Sequence, residues 1–338
     1  MTDYYVDPDD TGTDSGTQAN PFRSLQQGLD SVSAGGDNVY CKHDVGSGET
    51  ATAMIEIDTA SGAANTGCIN IIGCNSSWVE DGTRYKIDFG TTANYGLKQL
   101  KSYYTIRNLE LVSSATTGSW NGYYCSSGSF TAVYLNNIYC HGWPQDGFNC
   151  YFNESHIFRC ISKNNGRYGF LSGGNWIQCI GCYAEGNASF GFFCQYPGSF
   201  YGCIAVDNDG GGFDCWAMEA PLFHFIGHAN TGHGIDADYA KSLILGCRLT
   251  NNTGRGINNA NTDEIYEYPH LLYTYVGGNT TGQVNGPMNL LTLEGNDLNE
   301  VAGTDTESGY KDKDSPFDLN LDSNEATYYN TALEVKQI

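Results

Sequence analysis

Apolar and polar positions alternate along the middle of the chain in short runs, and the runs recur. Phe158, Cys160 and Ser162 alternate with Arg159, Ile161 and Lys163; Tyr201, Cys203 and Ala205 alternate with Gly202, Ile204 and Val206. Alternation at period two marks a strand with one face turned inward. Asn, Gly and Asp break each run, and a further short apolar run starts at Phe170, Phe192, Phe213, Ile235 or Ile257. The repeat carries no helical 3.6 spacing.

The breaks hold register. Gly169, Gly191, Gly212, Gly234 and Gly256 follow one another at steps of 22, 21, 22 and 22 residues, and Gly147 precedes them by 22. Four residues before each of the five stands Asn165, Asn187, Asn208, Asn230 or Asn252, and five before those stands Cys160, Cys182, Cys203, Phe225 or Cys247. Three columns kept over five copies mean stacked, equivalent units, and 22 residues are too few for a two-helix unit. The pattern predicts an all-β solenoid: a single-chain parallel β-helix whose coils of short strands stack about 4.8 Å apart. The Phe/Ile and Cys columns then point inward, and the Asn column forms a ladder of side-chain amides. Residues 39–285 make on the order of 11 coils, a rod of about 50 Å.

A β-helix exposes a sheet edge at each end and needs caps. Residues 1–38 read as the N-terminal one. Asn20 is a helix N-cap candidate, Pro21 suits the first helical position, and Phe22, Leu25, Leu29 and Val32 form one apolar stripe. Gly35-Gly36 ends that helix, and Val39-Tyr40-Cys41 reads as the first strand. Residues 286–338 lose the period, turn acidic and polar, and read as an irregular C-terminal cap or tail.

Charge narrows the partners. The chain of 338 residues carries 38 acidic and 16 basic side chains, a formal net charge of −22. That repels nucleic acid and anionic membranes, and disfavours polyanionic pectate unless calcium bridges. No apolar run reaches membrane-spanning length. The thirteen cysteines are odd in number, and most fall in inward columns: Cys160 with its equivalents, and Cys150, Cys194 and Cys215. Stacked inward thiols behave as small hydrophobes rather than a disulfide framework, which predicts reduced cysteines and folding in a cytosol. The lone CxxC of Cys179 and Cys182 belongs to the packing columns rather than to a metal site. Met1 is followed by β-helix residues with no basic stretch or apolar core of a signal peptide.

The opening Tyr4-Tyr5-Val6-Asp7-Pro8, then Gly12 to Thr17, then Asn20-Pro21-Phe22, followed by a short helix and the Cys–Asn–Gly-Phe coils, resembles the pectin-lyase-like right-handed β-helix superfamily. The resemblance spans most of the chain and implies a right-handed parallel β-helix. It implies no single function, because that fold hosts polysaccharide lyases, glycoside hydrolases, epimerases and phage tailspikes. With no leader and free thiols, the reading it favours is a virion-associated, tailspike- or fibre-like protein that recognises surface polysaccharide. Such a protein is released to virion or extracellular space by host lysis and, by the same resemblance, is a homotrimer. Ile161, Ile204, Ile226, Leu171 and Phe193 are the expected contact surface. The alternatives are a polysaccharide lyase or glycoside hydrolase of the same fold, and a purely structural decoration or adhesion module.

Candidate chemistry follows from the register. In the strand after each column Gly, positions one and three point inward and positions two and four outward. Asp214 therefore stacks on Asp236, with Asp238 beside Trp216. Three uses of this cluster are open. Paired carboxylates can cleave a glycosidic bond, as acid and as base or nucleophile; they can hold calcium; or they are ordinary solvated charges. No other cofactor is expected. Trp216, Tyr151, Gln195 and Trp120 are the expected sugar-binding residues, since flat aromatic faces suit sugar rings. Gly232-His233-Gly234 resembles part of the polygalacturonase signature, but Asn261-Thr262-Asp263 follows it where that family places it before. Asp-Asp occurs only at Asp9-Asp10, and His233 occupies a slot held elsewhere by Tyr168, Phe190, Gly211 and Arg255. An ordinary turn residue is the expectation there. His224 and His228 lie about 13 Å apart along a strand, too far to share a metal.

Overall fold

A computed structural model describes residues 1–299 apart from 44–47, 64–65, 92–93, 127–129, 217–219, 238–241, 260–268, 273, 286–288 and 291–296. The coils wind into two parallel sheets, one of 21 strands and one of ten. The first strand is β1 (Asp3–Val6), which pairs in parallel with β2 (Asn38–Lys42). The solenoid thus begins a rung earlier than Val39, and the helix lies in the connection between its first two strands. A representative coil holds β3 (Ser155–Phe158), β4 (Ile161–Lys163) and β5 (Phe170–Ser172). β3 and β4 join the long sheet and β5 the ten-stranded one.

The inward column of the ten-stranded sheet holds the predicted register. Phe148 pairs with Phe170, Phe170 with Phe192, Phe192 with Phe213, Phe213 with Ile235, and Ile235 with Ile257. The Phe148–Phe170 and Phe170–Phe192 rings stack at 4.6 and 4.9 Å, nearly parallel, so each rung hands the next an aromatic face. The Asn column is the expected ladder. Asn165, Asn187, Asn208, Asn230 and Asn252 are buried, and each donates Nδ2–H to Oδ1 of the next at 2.9 Å, ending on Asn279 at 2.8 Å. The same Oδ1 atoms accept the backbone N–H of the preceding rung, which satisfies buried donors at the turn.

Two of the three corners of each coil use one residue at positive φ throughout the regular coils. The first follows β3 and its equivalents: Asn137, Arg159, Gly181, Gly202, His224 and Gly246. The second precedes the ladder Asn: Asn164, Gly186, Asp207, Ala229, Asn251 and Gly278. The column glycines do something else. Their φ is ordinary, but a Cβ on Gly169, Gly212 or Gly234 would lie 2.5–2.6 Å from the backbone oxygen of the next column glycine. Close coil-to-coil approach, not left-handed backbone, explains that column.

Interior thiols complete the packing. Cys160, Cys182, Cys203 and Cys247 are buried, and their Sγ–H groups donate to backbone carbonyls such as Cys182 to Ile157 O at 3.3 Å. All thirteen cysteines are free, and all but Cys68 are buried. Burial pushes the Cys160 and Cys203 thiols up and Cys247 to about 12, so they stay protonated and unreactive near neutral pH. A thiol titration should therefore find at most Cys68 reactive in the native protein and all thirteen after denaturation. Several disulfides by mass spectrometry, or many native thiols reacting at once, contradict this packing.

The capping helix, α1 (Leu25–Ser31), starts at Ser24 rather than Asn20. Ser24 and Gln27 form a capping box, with Gln27 N–H donating to Ser24 Oγ and Ser24 N–H to Gln27 Oε1. Residue 22 cannot be helical because its N–H donates to Tyr5 O and its carbonyl accepts from Asp7 N, which ties it to β1 as extended chain. Leu25 and Leu29 pack over the first rung. The buried Glu49 carboxyl accepts from Leu25 N–H and Tyr85 Oη–H, pinning the helix to the solenoid.

Candidate functional site

The candidate site lies on the outer face of the ten-stranded sheet, centred on β5 and three further strands that follow it: β6 (Phe190–Cys194), β7 (Gly211–Cys215) and β8 (His233–Asp236). Parallel pairing turns sequence period into vertical columns. One column runs Asn149, Leu171, Phe193, Asp214, Asp236 and Asn258. Asp214 thus stands directly on Asp236, one rung or about 4.8 Å away in backbone terms. Phe213 and Cys215, flanking Asp214, are buried, so the carboxylate must face out. Asp236 accepts from Asn258 Nδ2 at 3.1 Å, and Asn258 accepts in turn from Asn285 Nδ2 at 2.9 Å.

Trp216 follows β7 and is 57% exposed. Its ring meets Phe193 edge-on at 5.8 Å, and Tyr168 stacks flat on Phe193 at 4.7 Å. Tyr168, Phe193 and Trp216 make a continuous aromatic ledge beside the two carboxylates. Tyr168 is held from below. Arg167 lies over its ring at 4.8 Å and donates Nε–H and Nη–H to the fully buried Asp146 at 2.7 and 2.5 Å. Asp146 also accepts from Tyr168 N–H at 3.3 Å and Asn149 Nδ2 at 2.7 Å. These bonds to Asp146 hold Arg167 charged above its ordinary range. Burial pushes the Tyr168 phenol up, Arg167 opposes that, and the charge of Asp214 adds to it.

Tyr151 and Gln195 lie on the same face and are joined, with Tyr151 Oη–H donating to Gln195 Oε1 at 3.0 Å. The bond spans two rungs because Gly173 lies between them. A Cβ there would sit 2.5 Å from the Tyr151 ring, so glycine lets the ring lie along the sheet. Trp120 does not join this group. It is half-buried against the core before the strand Asn121–Cys125, four rungs or about 19 Å along the solenoid axis from Trp216 and at the opposite end of the strand. Asp238 lies outside the described residues, as do Asn261, Thr262 and Asp263 and the start of the C-terminal region. His233 occupies the expected slot, paired with Gly211, and Arg255 N–H donates to its Nδ1 at 2.9 Å.

Two expectations about exposure fail. Leu171 and Phe193 are 5% and 8% exposed, although they point outward. Tyr168 and Trp216 cover Phe193, so it is part of the ledge's base and not contact surface for another subunit. Among the described residues, no group of three or more His, Cys, Asp or Glu side chains is placed to hold a metal ion, and no helix is long and apolar enough to cross a membrane.

No protein-family model matches the chain, and no curated protein matches its sequence. Solved structures match its fold. Pectate lyase Pel9A aligns over 85% of this chain and 79% of its own at a TM-score of 0.57 and 14% identity. The GH136 lacto-N-biosidase from Eubacterium ramulus aligns over 87% of this chain at a TM-score of 0.61 and 12% identity. The catalytic domain of a GH87 α-1,3-glucanase, in complex with nigerose, aligns over 77% at 0.53 and 11%. This chain spans 62% and 64% of the latter two chains. Identities this low establish the shared right-handed parallel β-helix and leave function to the residues on it.

Proposed function

We propose that this protein acts on a polysaccharide along the outer face of the ten-stranded sheet. The observation that carries the reading is the exposed Trp216 on the Tyr168–Phe193 ledge beside the stacked Asp214 and Asp236. An indole face packs against the C–H face of a sugar ring, and carboxylates and amides accept its hydroxyl protons. The matched β-helix structures support it, since their names describe a pectate lyase, a glucanase and a biosidase. In a hydrolase reading, one of the two carboxyls donates a proton to the leaving oxygen while the other, ionised, attacks or stabilises the sugar cation. Carboxyls held at the rung spacing of about 5 Å would fit the retaining geometry better than the inverting one. In a calcium reading both stay ionised and, with Asp238, position the ligand.

Variants separate these readings. Trp216→Ala should weaken glycan binding about tenfold or more with only a small fall in melting temperature, because more than half of the side chain is exposed and Tyr168 still stacks on Phe193. Asp214→Asn and Asp236→Asn should abolish cleavage and leave binding weakened but measurable if the pair is catalytic. If it holds calcium, they should instead remove a calcium-dependent rise in melting temperature. Variants that bind, cleave and melt like the parent would return the pair to plain solvated surface.

The finer reading, a virion-associated homotrimer of the tailspike kind, draws on the long sheet. Its outer face carries Ile161, Tyr183, Ile204 and Ile226 in one column and Phe158, Ile180, Tyr201, Phe223 and Leu245 in the next. No acid interrupts either run, in a chain of net charge −22. An apolar stripe of this length suits a subunit contact. Light scattering at micromolar concentration should give three times 36.7 kDa; a clean monomer mass ends this reading and leaves the glycan reading intact.

A further inference from the structure

We infer that the Trp216 ledge selects a neutral glycan and discriminates against polyuronates; this rests on the glycan-binding reading of that face. The chemistry of the ledge is one-sided. Asp214 and Asp236 are acceptors only when ionised, so they reward ligands that donate hydroxyl protons and repel ligands that bring carboxylates. A polyuronate needs a cation at each bound ring. Beside the ledge, Arg167 has Nε and one Nη committed to the buried carboxylate of Asp146 and its plane laid on Tyr168. It is a strut for the aromatic platform rather than a receptor. Lys98, at the far end of the same outward column, is paired with Glu56 at 2.7 Å. Among the described residues, the amides Gln195 and Asn258 lie on the same face as the carboxylates and suit hydroxyls in both donor and acceptor roles.

The long-range field acts the same way. With a net charge of −22 the molecule repels a polyanion before contact, and the repulsion is screened within about 10 Å at 0.1 M salt. A neutral chain meets no such barrier, so its affinity should be nearly independent of salt. Part of the cause is local and part global. Removing the two ledge carboxylates should therefore narrow the discrimination without abolishing it.

The test is calorimetric titration of the full chain with three sets of oligosaccharides of matched length: neutral hexose oligomers (glucans, galactans and mannans), oligogalacturonates, and chitosan oligomers. We expect a neutral oligomer to bind and the oligogalacturonates to bind about tenfold more weakly or not at all at low salt. Raising the salt should leave the neutral affinity unchanged and narrow the gap. Trp216→Ala should abolish the neutral signal. The Asp214→Asn, Asp236→Asn double variant should bind oligogalacturonate several-fold more tightly than the parent and the neutral oligomer more weakly. Circular dichroism confirms that each variant is folded. Parent binding to oligogalacturonate as tight as to any neutral oligomer overturns the inference while leaving the glycan reading standing, and so does binding of chitosan with no neutral oligomer bound; chitosan, a polycation drawn by the same carboxylates, should lose affinity as salt rises. Neutral binding untouched by Trp216→Ala overturns the placement on this ledge. A parent that binds none of the three sets brings down both.

Discussion

Asn208→Ala lowers stability by about 3–5 kcal/mol, out of proportion to the few atoms removed. Asn208 Oδ1 accepts from Asn187 N–H at 3.1 Å and from Asn187 Nδ2 at 2.9 Å, and Asn208 Nδ2 donates to Asn230 Oδ1 at 2.9 Å and Val206 O at 3.1 Å. Every one of these groups is sheltered from water by the coils above and below. Truncation leaves the backbone N–H of Asn187 and one N–H of its side-chain amide unpaired, each costing about 1–3 kcal/mol before relaxation. The measurement is the urea midpoint at unchanged slope. The first rung offers an internal comparison. From the rung before it, Asn165 accepts a backbone bond from Trp143 N–H at 3.1 Å but no side-chain amide, so Asn165→Ala should cost less. A loss under about 1 kcal/mol at Asn208 would mean that water enters the turn and the ladder is decorative.

Gly212→Ala is the second large effect, expected at about 2–4 kcal/mol. The added methyl would lie 2.5 Å from the backbone oxygen of Gly234 and 3.2 Å from Asn230 Nδ2. Neither neighbour is a flexible side-chain end, so two coils must part by several tenths of an ångström. That separation reaches the Asn ladder through Asn230, so Gly212→Ala and Asn208→Ala should not be additive. Gly202→Ala is the contrasting substitution. A Cβ there meets nothing within 4 Å, and its cost comes only from the left-handed φ of 59°. That cost should be about 1 kcal/mol, as Arg159 and His224 hold the same corner in neighbouring coils. If the two glycine variants melt alike, close approach is not the reason for the Gly212 column.

The stacking of this protein was open to reading in its sequence because a solenoid makes most of its contacts between one coil and the next. A period of 22 therefore names vertical neighbours by arithmetic: Phe170 on Phe192, Asn187 on Asn208, Asp214 on Asp236. Alternation then says which of them face in. Tertiary structure alone decided everything lateral. Arg159, His224 and Ala229 turn corners that other coils turn with Gly or Asn, and no residue preference announces them. Ser24 caps the helix because Phe22 is drawn into pairing with β1, a contact across 17 residues that local signals at Asn20 and Pro21 do not contain. Leu171 and Phe193 point outward as the alternation requires, yet diagonal packing by neighbours such as Tyr168 buries Phe193. Side-chain reach also joins Tyr151 to Gln195 over Gly173 and leaves Trp120 four rungs away. Period and alternation fix backbone register, whereas diagonal contact depends on side-chain length, rotamer and the gap left by a neighbouring glycine. The ledge beside Asp214 and Asp236 is made of such contacts.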